Sequence, residues 1–175
     1  MKWWTLLGGT VGGLAGLGVA VFVVGLRLPA EHVATRSREI DASVDQVSER
    51  VRRVKAQPQW RRKISRIDVQ ARALGSTRYT EHAGSDAIAF ELVEHADGRH
   101  FESRITSTDL PFGGRWLIAL EPLDGERTRI DIQEEGVVHS PVFRTLSRYV
   151  FGHTATMDAY LDDLERSFVE HGHGA

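Results

Sequence analysis

The chain has 175 residues, of which 41% are hydrophobic and 26% charged, with 17 glycines and 5 prolines. This composition excludes a collagen-like chain, a coiled-coil rod and wholesale disorder, and the length suits one domain with a short extension. The formal net charge of -2 gives no global electrostatic footprint for nucleic acid, so we expect no nucleic-acid partner. The absence of cysteine excludes a disulfide framework, a cysteine nucleophile and a thiolate zinc site.

The first feature along the chain is an apolar segment from Leu6 to Leu26 that contains no charged residue. At about 1.5 Å per residue, a helix of this length reaches roughly 31 Å, which is enough to cross the core of a bilayer. Lys2 and Arg27 bracket the segment, and two tryptophans stand at its amino end, where aromatic anchors are common. We therefore predict a single-pass transmembrane anchor over residues 1–28.

A cleaved signal peptide is the alternative for this segment. Gly18-Val19-Ala20 fits a cleavage site, but apolar residues continue beyond it to Leu26, so we favour an uncut anchor. The amino side carries one lysine and the terminal amine, whereas Arg27, Arg36 and Arg38 follow the segment. This distribution favours a cytoplasmic location for the large domain.

Glycines recur through the apolar segment. Gly8, Gly12 and Gly16 are four residues apart in turn, so they would stack on one face of a helix. Small residues at this spacing let a second membrane helix approach closely, and homo-oligomerisation through this face is one hypothesis. The alternative is that the glycines only reflect the usual composition of membrane helices.

Residues 29–172 form the second predicted unit, a soluble domain. Its net charge is -4, because the -2 of the whole chain includes Lys2 and Arg27. A chain of this size is expected to form a single hydrophobic core. Residues 173–175 end a short tail of glycine and histidine, which we expect to be flexible.

The domain opens with a strand predicted over Val33–Ile40, and a helix follows from Ser43. Gln46 stands three residues after Ser43, which is the spacing of a capping box. Valines then recur at spacings of three, four and three from Val44 to Val54, which indicates one apolar helix face.

From Ile64 to Val138 the hydrophobic period changes from that of a helix to that of a strand. About six strands are predicted, over Ile64–Gln70, Thr77–Glu81, Ala87–His95, Arg99–Ser107 and the alternating runs around Ile118 and Ile130. Asp97-Gly98 and Asp124-Gly125 are hairpin turn signals. Such short connections predict an antiparallel sheet.

A long helical pattern closes the domain. Ser140 and Pro141 are a good N-cap and first helical residue, and apolar residues keep helical spacing up to Phe168. The spacing skips one turn near His153 and Thr154. The order of elements predicts an α+β fold, in which a curved antiparallel sheet of six to seven strands wraps around a long C-terminal helix and tends to enclose a cavity.

Several motifs punctuate this order: Ile40-Asp41-Ala42-Ser43, Pro58-Gln59-Trp60-Arg61, the run from Leu110 to Trp116, Glu134-Glu135-Gly136 and the run from Ser140 to Arg144. Together with the order of elements, they resemble the START-like helix-grip superfamily (SRPBCC), which includes polyketide cyclase/dehydrase-like and lipid-transport proteins. The resemblance covers about residues 31–169. It implies a hydrophobic cavity between the sheet and the terminal helix, which members use to bind lipids, polyketides or other apolar molecules.

The candidate ligand-binding residues are those expected on the inner faces of the strands and helices. The apolar candidates are Trp60, Phe90, Leu92, Phe101, Ile105, Trp116, Ile132, Tyr149 and Met157. Plain core packing is the alternative for each of them. Glu134 shares a strand face with Ile132, where a carboxylate would orient a ligand or act as a base. The alternative for Glu134 is a rim residue paired with an arginine.

No catalytic constellation stands out. The 8 histidines form no His-Glu-x-x-His motif, so we expect neither a metal nor a cofactor. The sequence therefore predicts a membrane-anchored domain that binds a hydrophobic small molecule or lipid. One alternative is a cyclase- or hydrolase-like enzyme acting in the same cavity, and another is an envelope interaction protein that self-associates through the glycine-rich span.

Overall fold

A computed structural model describes residues 18–146, 148–149 and 154–169. Seven antiparallel strands form one curved sheet in the order β1-β7-β6-β5-β4-β3-β2. The strands are β1 (Glu31–Ile40), β2 (Arg66–Ala73), β3 (Ser76–Ala83), β4 (Asp86–Glu94), β5 (His100–Ile105), β6 (Phe112–Pro122) and β7 (Thr128–Val138). The helices are α1 (Val44–Arg52), a 3-10 helix (Val54–Gln59), α2 (Pro141–Leu146) and α3 (Ala155–Val169), and residues 18–27 are also helical.

The predicted antiparallel sheet with a helix on its concave face is confirmed. Five successive hairpins connect β2 to β7. β1 is an edge strand and pairs with β7, from Glu31 opposite Val137 to Ile40 opposite Thr128. At the other edge, the register of β2 against β3 shifts between Val69 and Ala71, which is a β-bulge.

Local signals in the sequence fix the ends of several elements. Ser43 and Gln46 form the predicted capping box at the start of α1. At the β4–β5 turn, Oδ1 of Asp97 accepts hydrogen bonds from the backbone N–H groups of Arg99 and His100, at 2.9 and 3.2 Å. Gly98 has a φ of 65°, a left-handed conformation that favours glycine. This turn fixes the register of β4 against β5, which determines which of their residues face α3.

The core lies between the concave face of the sheet and α3. Met157, Leu161 and Leu164 of α3 are at most 1% exposed and pack in one cluster with Ile130 and Ile132 of β7. Each such side chain contributes roughly 1.5–3 kcal/mol on burial. The apolar stripe of α1 closes one end of the same cluster.

Ion pairs join α3 to the edge strand β1. Arg36 donates from Nε to Asp158 at 2.8 Å, and Arg38 donates to Asp162 at 2.9 Å and to Glu165 at 2.5 Å. The three carboxylates lie at helical spacing along α3, so the two arginines hold the helix along the strand. Because these groups are partly exposed, each pair contributes little stability by itself and mainly fixes the position of the helix.

The terminal helical pattern forms two helices rather than the single long helix expected. α2 covers Pro141–Leu146, Arg148 and Tyr149 are π-helical, and Thr154 is a bend before α3 begins. The Thr154 carbonyl accepts the N–H of Asp158 at 2.8 Å, and its hydroxyl accepts from Arg36 at 2.8 Å. Thr154 thus begins the hydrogen-bond pattern of α3 with its carbonyl, while its hydroxyl binds Arg36 of β1. The bend at Thr154 coincides with the turn near His153 and Thr154 at which the apolar spacing in the sequence is interrupted.

The glycine face of Gly8, Gly12 and Gly16 lies outside the described residues, as do the amino-terminal part of the predicted anchor and residues 173–175. Those interpretations stay predictions. Within the described part of the chain, no helix has the length and apolar character needed to span a membrane.

Asp163 provides a test of how α3 is fixed. Its side chain is 6% exposed and accepts from the backbone N–H and Nε of Arg62 and from Arg166, at 2.8 to 2.9 Å. Burial raises the pKa of Asp163, but the hydrogen bonds from Arg166 and Arg62 outweigh it and hold the pKa below its usual value. Asp163→Asn should lower the free energy of unfolding at neutral pH by about 1–3 kcal/mol, because buried donors lose a charged acceptor.

The sign of the pH dependence follows from the lowered pKa. The contribution of the Asp163 carboxylate is present above the unfolded-state pKa of about 3.9 and is lost as pH falls through the lower folded-state pKa. Denaturant unfolding should therefore show the difference between wild type and variant shrinking below about pH 4. The control is Asp162→Asn at an exposed side chain, which should cost less than about 1 kcal/mol. Equal effects of both substitutions would contradict the assignment.

Candidate functional site

The concave face of the sheet has a closely packed half and a more open half. Near α1, residues such as Phe101, Leu120 and Ile130 are at most 4% exposed. Toward the start of β6 and the end of β7, Trp116 and Glu134 are only half-buried although they point to the same face. The open half is therefore where a second molecule could contact the inner face.

Glu134 is held between two side chains in the open half. Its Oε1 lies 3.0 Å from Nε2 of His32, and its Oε2 accepts a hydrogen bond from Nε1 of Trp116 at 2.8 Å. His32 in β1 pairs with Gly136 in β7, and a Cβ at position 136 would stand 2.2 Å from the imidazole ring. Glycine at this position lets the ring lie against the strand and reach the carboxylate.

A buried ion pair lies at the β3 side of the same face. The guanidinium of Arg61 donates from Nη2 to Glu81 at 3.1 Å and from Nη1 both to Glu81 and, at 2.7 Å, to Gln57. The two charged side chains are 14% and 10% exposed. Burial lowers the pKa of Arg61, but the charge and hydrogen bonds of Glu81 outweigh it and raise the pKa above its usual value. The arginine is therefore a fixed positive charge.

Tyr160 of α3 connects the two polar groups. Its ring contacts Trp60 and Trp116 edge-on, with centroids 5.4 and 5.6 Å apart, and the guanidinium carbon of Arg61 lies 5.3 Å from its centre. Edge-on aromatic pairs at these distances are favourable. We call the set of Glu81, Arg61, Tyr160, Trp116, Glu134 and His32 the inner row. It crosses the concave face, with Tyr160 contributed by α3 and the other side chains by the sheet and its connections.

Two aromatic side chains border the inner row. Tyr79 is 3% exposed and stacks on Phe90 with ring centroids 5.7 Å apart, and burial raises its pKa. Trp60 is 7% exposed, and among the described residues its Nε1 has no hydrogen-bond acceptor. A buried donor without a partner costs about 1–3 kcal/mol, so an acceptor atom of a bound molecule would be favoured there.

Two surface depressions lie elsewhere on the described part of the chain. Each is open and about 490 Å³ in volume, one bordered by Asp97, His100 and Asp131 and the other by Asp41 and Arg127. Both lie by hairpin turns, not on the concave face. In the part of the chain that the structure describes, no three histidine or carboxylate side chains are grouped to hold a metal ion.

A family profile described as polyketide cyclase/dehydrase and lipid transport matches residues 31–168. The chain belongs to this family. The match runs from β1 into α3, so it includes the whole sheet and the inner row. A search of curated protein sequences found no match.

Solved structures share the fold of this polyketide cyclase/dehydrase family member. The Zhui aromatase/cyclase from Streptomyces sp. R1128 has a TM-score of 0.71 and 13% identity, and the alignment covers 82% of this chain and 97% of that one. A START superfamily protein from Mycobacterium smegmatis has a TM-score of 0.62 and 17% identity, covering 79% and 98%. A norcoclaurine synthase from Thalictrum flavum has a TM-score of 0.65 and 14% identity, covering 81% and 96%. At these identities the likeness shows the fold alone.

The predicted ligand residues of this family member fall into three groups. Those on or beside the open half are Trp60, Phe90, Ile105, Trp116 and Glu134. Those in the packed core, at most 5% exposed, are Leu92, Phe101, Ile132 and Met157. Tyr149 stands apart, because it is 68% exposed. Contact with a ligand stays a prediction for all of them.

Sequence reasoning missed His32, Arg61, Tyr79 and Tyr160 as site residues. His32 reaches Glu134 only because the first strand pairs with the last, over 102 residues of chain. The alternation of β1 would have placed it on the inner face, had that pairing been known. Two other charged residues of the strands, Glu91 and Arg104, pair with each other at 3.2 Å and are not part of the inner row.

Tyr160 gives a spectroscopic test of the burial of the inner row. Burial raises its pKa to about 12, although Arg61 opposes the shift. Since the usual value is about 10, the stability that the neutral phenol contributes is complete below pH 10 and is lost as pH rises through about 12. Absorbance titration should show one tyrosinate fewer at high pH in Tyr160→Phe, together with a weaker alkaline loss of stability than in wild type.

The exposed Tyr149 is the matched control for this titration. Tyr149→Phe removes an exposed phenol outside the inner row and should leave alkaline unfolding unchanged. If Tyr160→Phe left the alkaline loss of stability as unchanged as Tyr149→Phe does, the inner row would be open to water, contrary to the structure.

Proposed function

We propose that this protein is a membrane-anchored domain that binds a hydrophobic small molecule or lipid between the concave face of the sheet and α3. The observation that carries the proposal is the contrast between the two halves of the concave face. Phe90, Ile105 and Trp116 remain half-buried while the opposite half is closely packed. Mostly apolar walls with a few fixed polar groups are typical of small-molecule sites. Membership of a family described as polyketide cyclase/dehydrase and lipid transport supports the same reading.

The polar groups of the inner row would orient the ligand. Glu134 already has both oxygens engaged by His32 and Trp116, so its position is fixed before a ligand arrives. A ligand hydroxyl beside it would find an acceptor that costs little to order. The Nε1 of Trp60 would supply a donor on the other side of Tyr160. The site therefore suits an apolar molecule with one or two oxygen atoms.

The proposed anchor is the uncharged segment from Leu6 to Leu26. It would hold the domain at the bilayer, where apolar ligands partition. Under the same proposal the folded domain lies on the cytoplasmic side, because basic residues are more numerous after the segment than before it.

The test is mass spectrometry of small molecules that copurify with the full chain in mild detergent. We expect a defined apolar compound with the wild type and at least about a tenfold loss in Trp116→Ala, which removes the central wall of the open half. The control is Val33→Ala, whose side chain is 68% exposed on β1. Thermal unfolding of each variant shows that the fold is kept. Equal recovery from both variants would contradict the site.

A second candidate function is catalysis in the same place, and the contact between His32 and Glu134 favours it. A carboxylate within hydrogen-bond distance of an imidazole is an arrangement used for general acid–base catalysis. Glu134 would take a proton from the ligand while His32 and the indole N–H of Trp116 hold the carboxylate in place. A cyclase- or hydrolase-like reaction on an apolar substrate would use such a base.

Glu134→Gln separates the two functions. The amide keeps an acceptor oxygen for Trp116 but removes the base, so turnover of the copurified compound should fall at least about 100-fold while its affinity changes little. The matched control is Glu135→Gln, because Glu135 is paired with Arg115 at 2.8 Å, away from the inner row. Unchanged turnover in Glu134→Gln would remove Glu134 from any mechanism and leave binding as the function.

A further inference from the structure

The helix formed by residues 18–27 packs on α2 through one narrow face. The carbonyl oxygen of Val21 accepts a hydrogen bond from the hydroxyl of Thr145 at 2.8 Å. One turn later, Gly25 is buried against Pro141, where a Cβ would stand 1.8 Å from the carbonyl oxygen. The contact forms because residue 25 has no side chain, and it joins the two helices into one unit.

The other faces of this unit are apolar and exposed. Residues 18–26 include no polar side chain, and Arg27 at the end is the one charged residue of this helix. Its exposed apolar residues, from 41% to 64%, are Val19, Phe22, Val23, Val24 and Leu26. On α2, Val142 and Phe143 are 36% and 41% exposed. A helix that packs on a soluble domain carries polar residues on its free faces, and an apolar cluster of this kind indicates a further contact.

We propose that α2 docks on the surface of a lipid bilayer, with Val142 and Phe143 inserted between head groups and acyl chains beside the helix of residues 18–27. A bilayer fits better than a second copy of the chain. Up to Leu26, every face of the helix that α2 does not cover exposes apolar side chains, and a single partner helix would cover only one more face. The uncharged sequence also continues upstream to Leu6. The inference rests on the anchoring in the proposed function and adds a second membrane contact.

The contacts between the helices set the depth of α2. Arg27 is the first charged residue after the apolar segment and marks the boundary of the bilayer core. Gly25 and Val21 lie two and six residues before it, which is about 3 and 9 Å along the helix. Helices that lie in the interface bury their apolar face to about 5–10 Å, so α2 is at the appropriate level. Arg144 holds this level by donating to the carbonyl of Leu28 at 3.4 Å.

Docking at α2 would turn the open half of the concave face toward the membrane. α2 follows β7, whose last residue Val138 donates to the carbonyl of Ala30 beside the end of the helix. Glu134 lies four residues earlier, or about 13 Å along the strand. A ligand dissolved in the bilayer would reach the inner row without crossing bulk water, which makes the ligand class a lipid-phase molecule.

The experiment uses the full chain in vesicles of phosphatidylcholine and phosphatidylglycerol, with and without chain-brominated lipid. Since the sequence has no cysteine, single substitutions carry one fluorophore each. Phe143→Cys reports on α2, and Val19→Cys reports on the anchor. Leu74→Cys is the control, because Leu74 is fully exposed in the β2–β3 turn, whose Gly75 bonds to Glu94 at the opposite end of the sheet.

Brominated lipid should quench the labels at positions 143 and 19 at least about twofold and leave the label at position 74 unchanged. Quenching at position 19 without quenching at 143 would overturn the docking of α2 while the anchor stands. Absence of quenching at both positions would overturn the anchor as well. Energy transfer between labels at position 143 of different copies, without quenching by lipid, would assign the face to self-association and overturn the proposal. Ligand recovery is measured separately, so failure of binding is distinguishable from each outcome.

Discussion

Pairing between β1 and β7, the first and last strands along the chain, is the constraint on which the rest of this structure depends. The ten-residue ladder of β1 against β7 places His32 beside Glu134 and brings Arg36 and Arg38 under α3. It also places the helix of residues 18–27 next to α2, because both helices adjoin the same end of the ladder, where β1 begins and β7 ends. The backbone hydrogen bonds between β1 and β7 thus position three features: the open half of the concave face, the ion pairs that join β1 to α3, and the exposed apolar surface of α2 and the helix of residues 18–27.

The buried pair of Arg61 and Glu81 has a positional role in this arrangement. Such a pair gains little net stability over well-packed apolar residues, because removing both charges from water costs about as much as their attraction returns. Removal of one partner is costly, so the pair keeps its geometry once formed. Through the stacking of Arg61 on Tyr160, that geometry fixes the ring against which Trp116 packs. The Arg61–Glu81 pair at one end of the inner row therefore helps to fix the positions of Tyr160 and Trp116, which lie beside Glu134.

The alternating pattern of the strands and the turn at Gly98 predicted the antiparallel sheet, and the capping box at Ser43 predicted the start of α1, because these signals are local. The pairing of β1 with β7 was not among these predictions. The division of the concave face could not be predicted. Phe90 and Leu92 are both apolar and face the same side of β4, yet only the latter is fully packed. That difference depends on where α1 and α3 end above the sheet. The helix break at Thr154 was visible as a skipped turn, but its meaning required the hydrogen bond from Arg36.

The β-bulge in β2 has a consequence for how copies of the domain meet one another. An unpaired edge strand offers free N–H and C=O groups to any neighbouring strand, and regular edges invite intermolecular sheets. The bulge between Val69 and Ala71 interrupts the regular ladder, and Arg66, Asp68 and Arg72 place charges along the same strand. A second β2 would meet mismatched hydrogen-bond spacing and two arginines. Molecules concentrated on one surface would therefore remain separate along this edge, even at high local density.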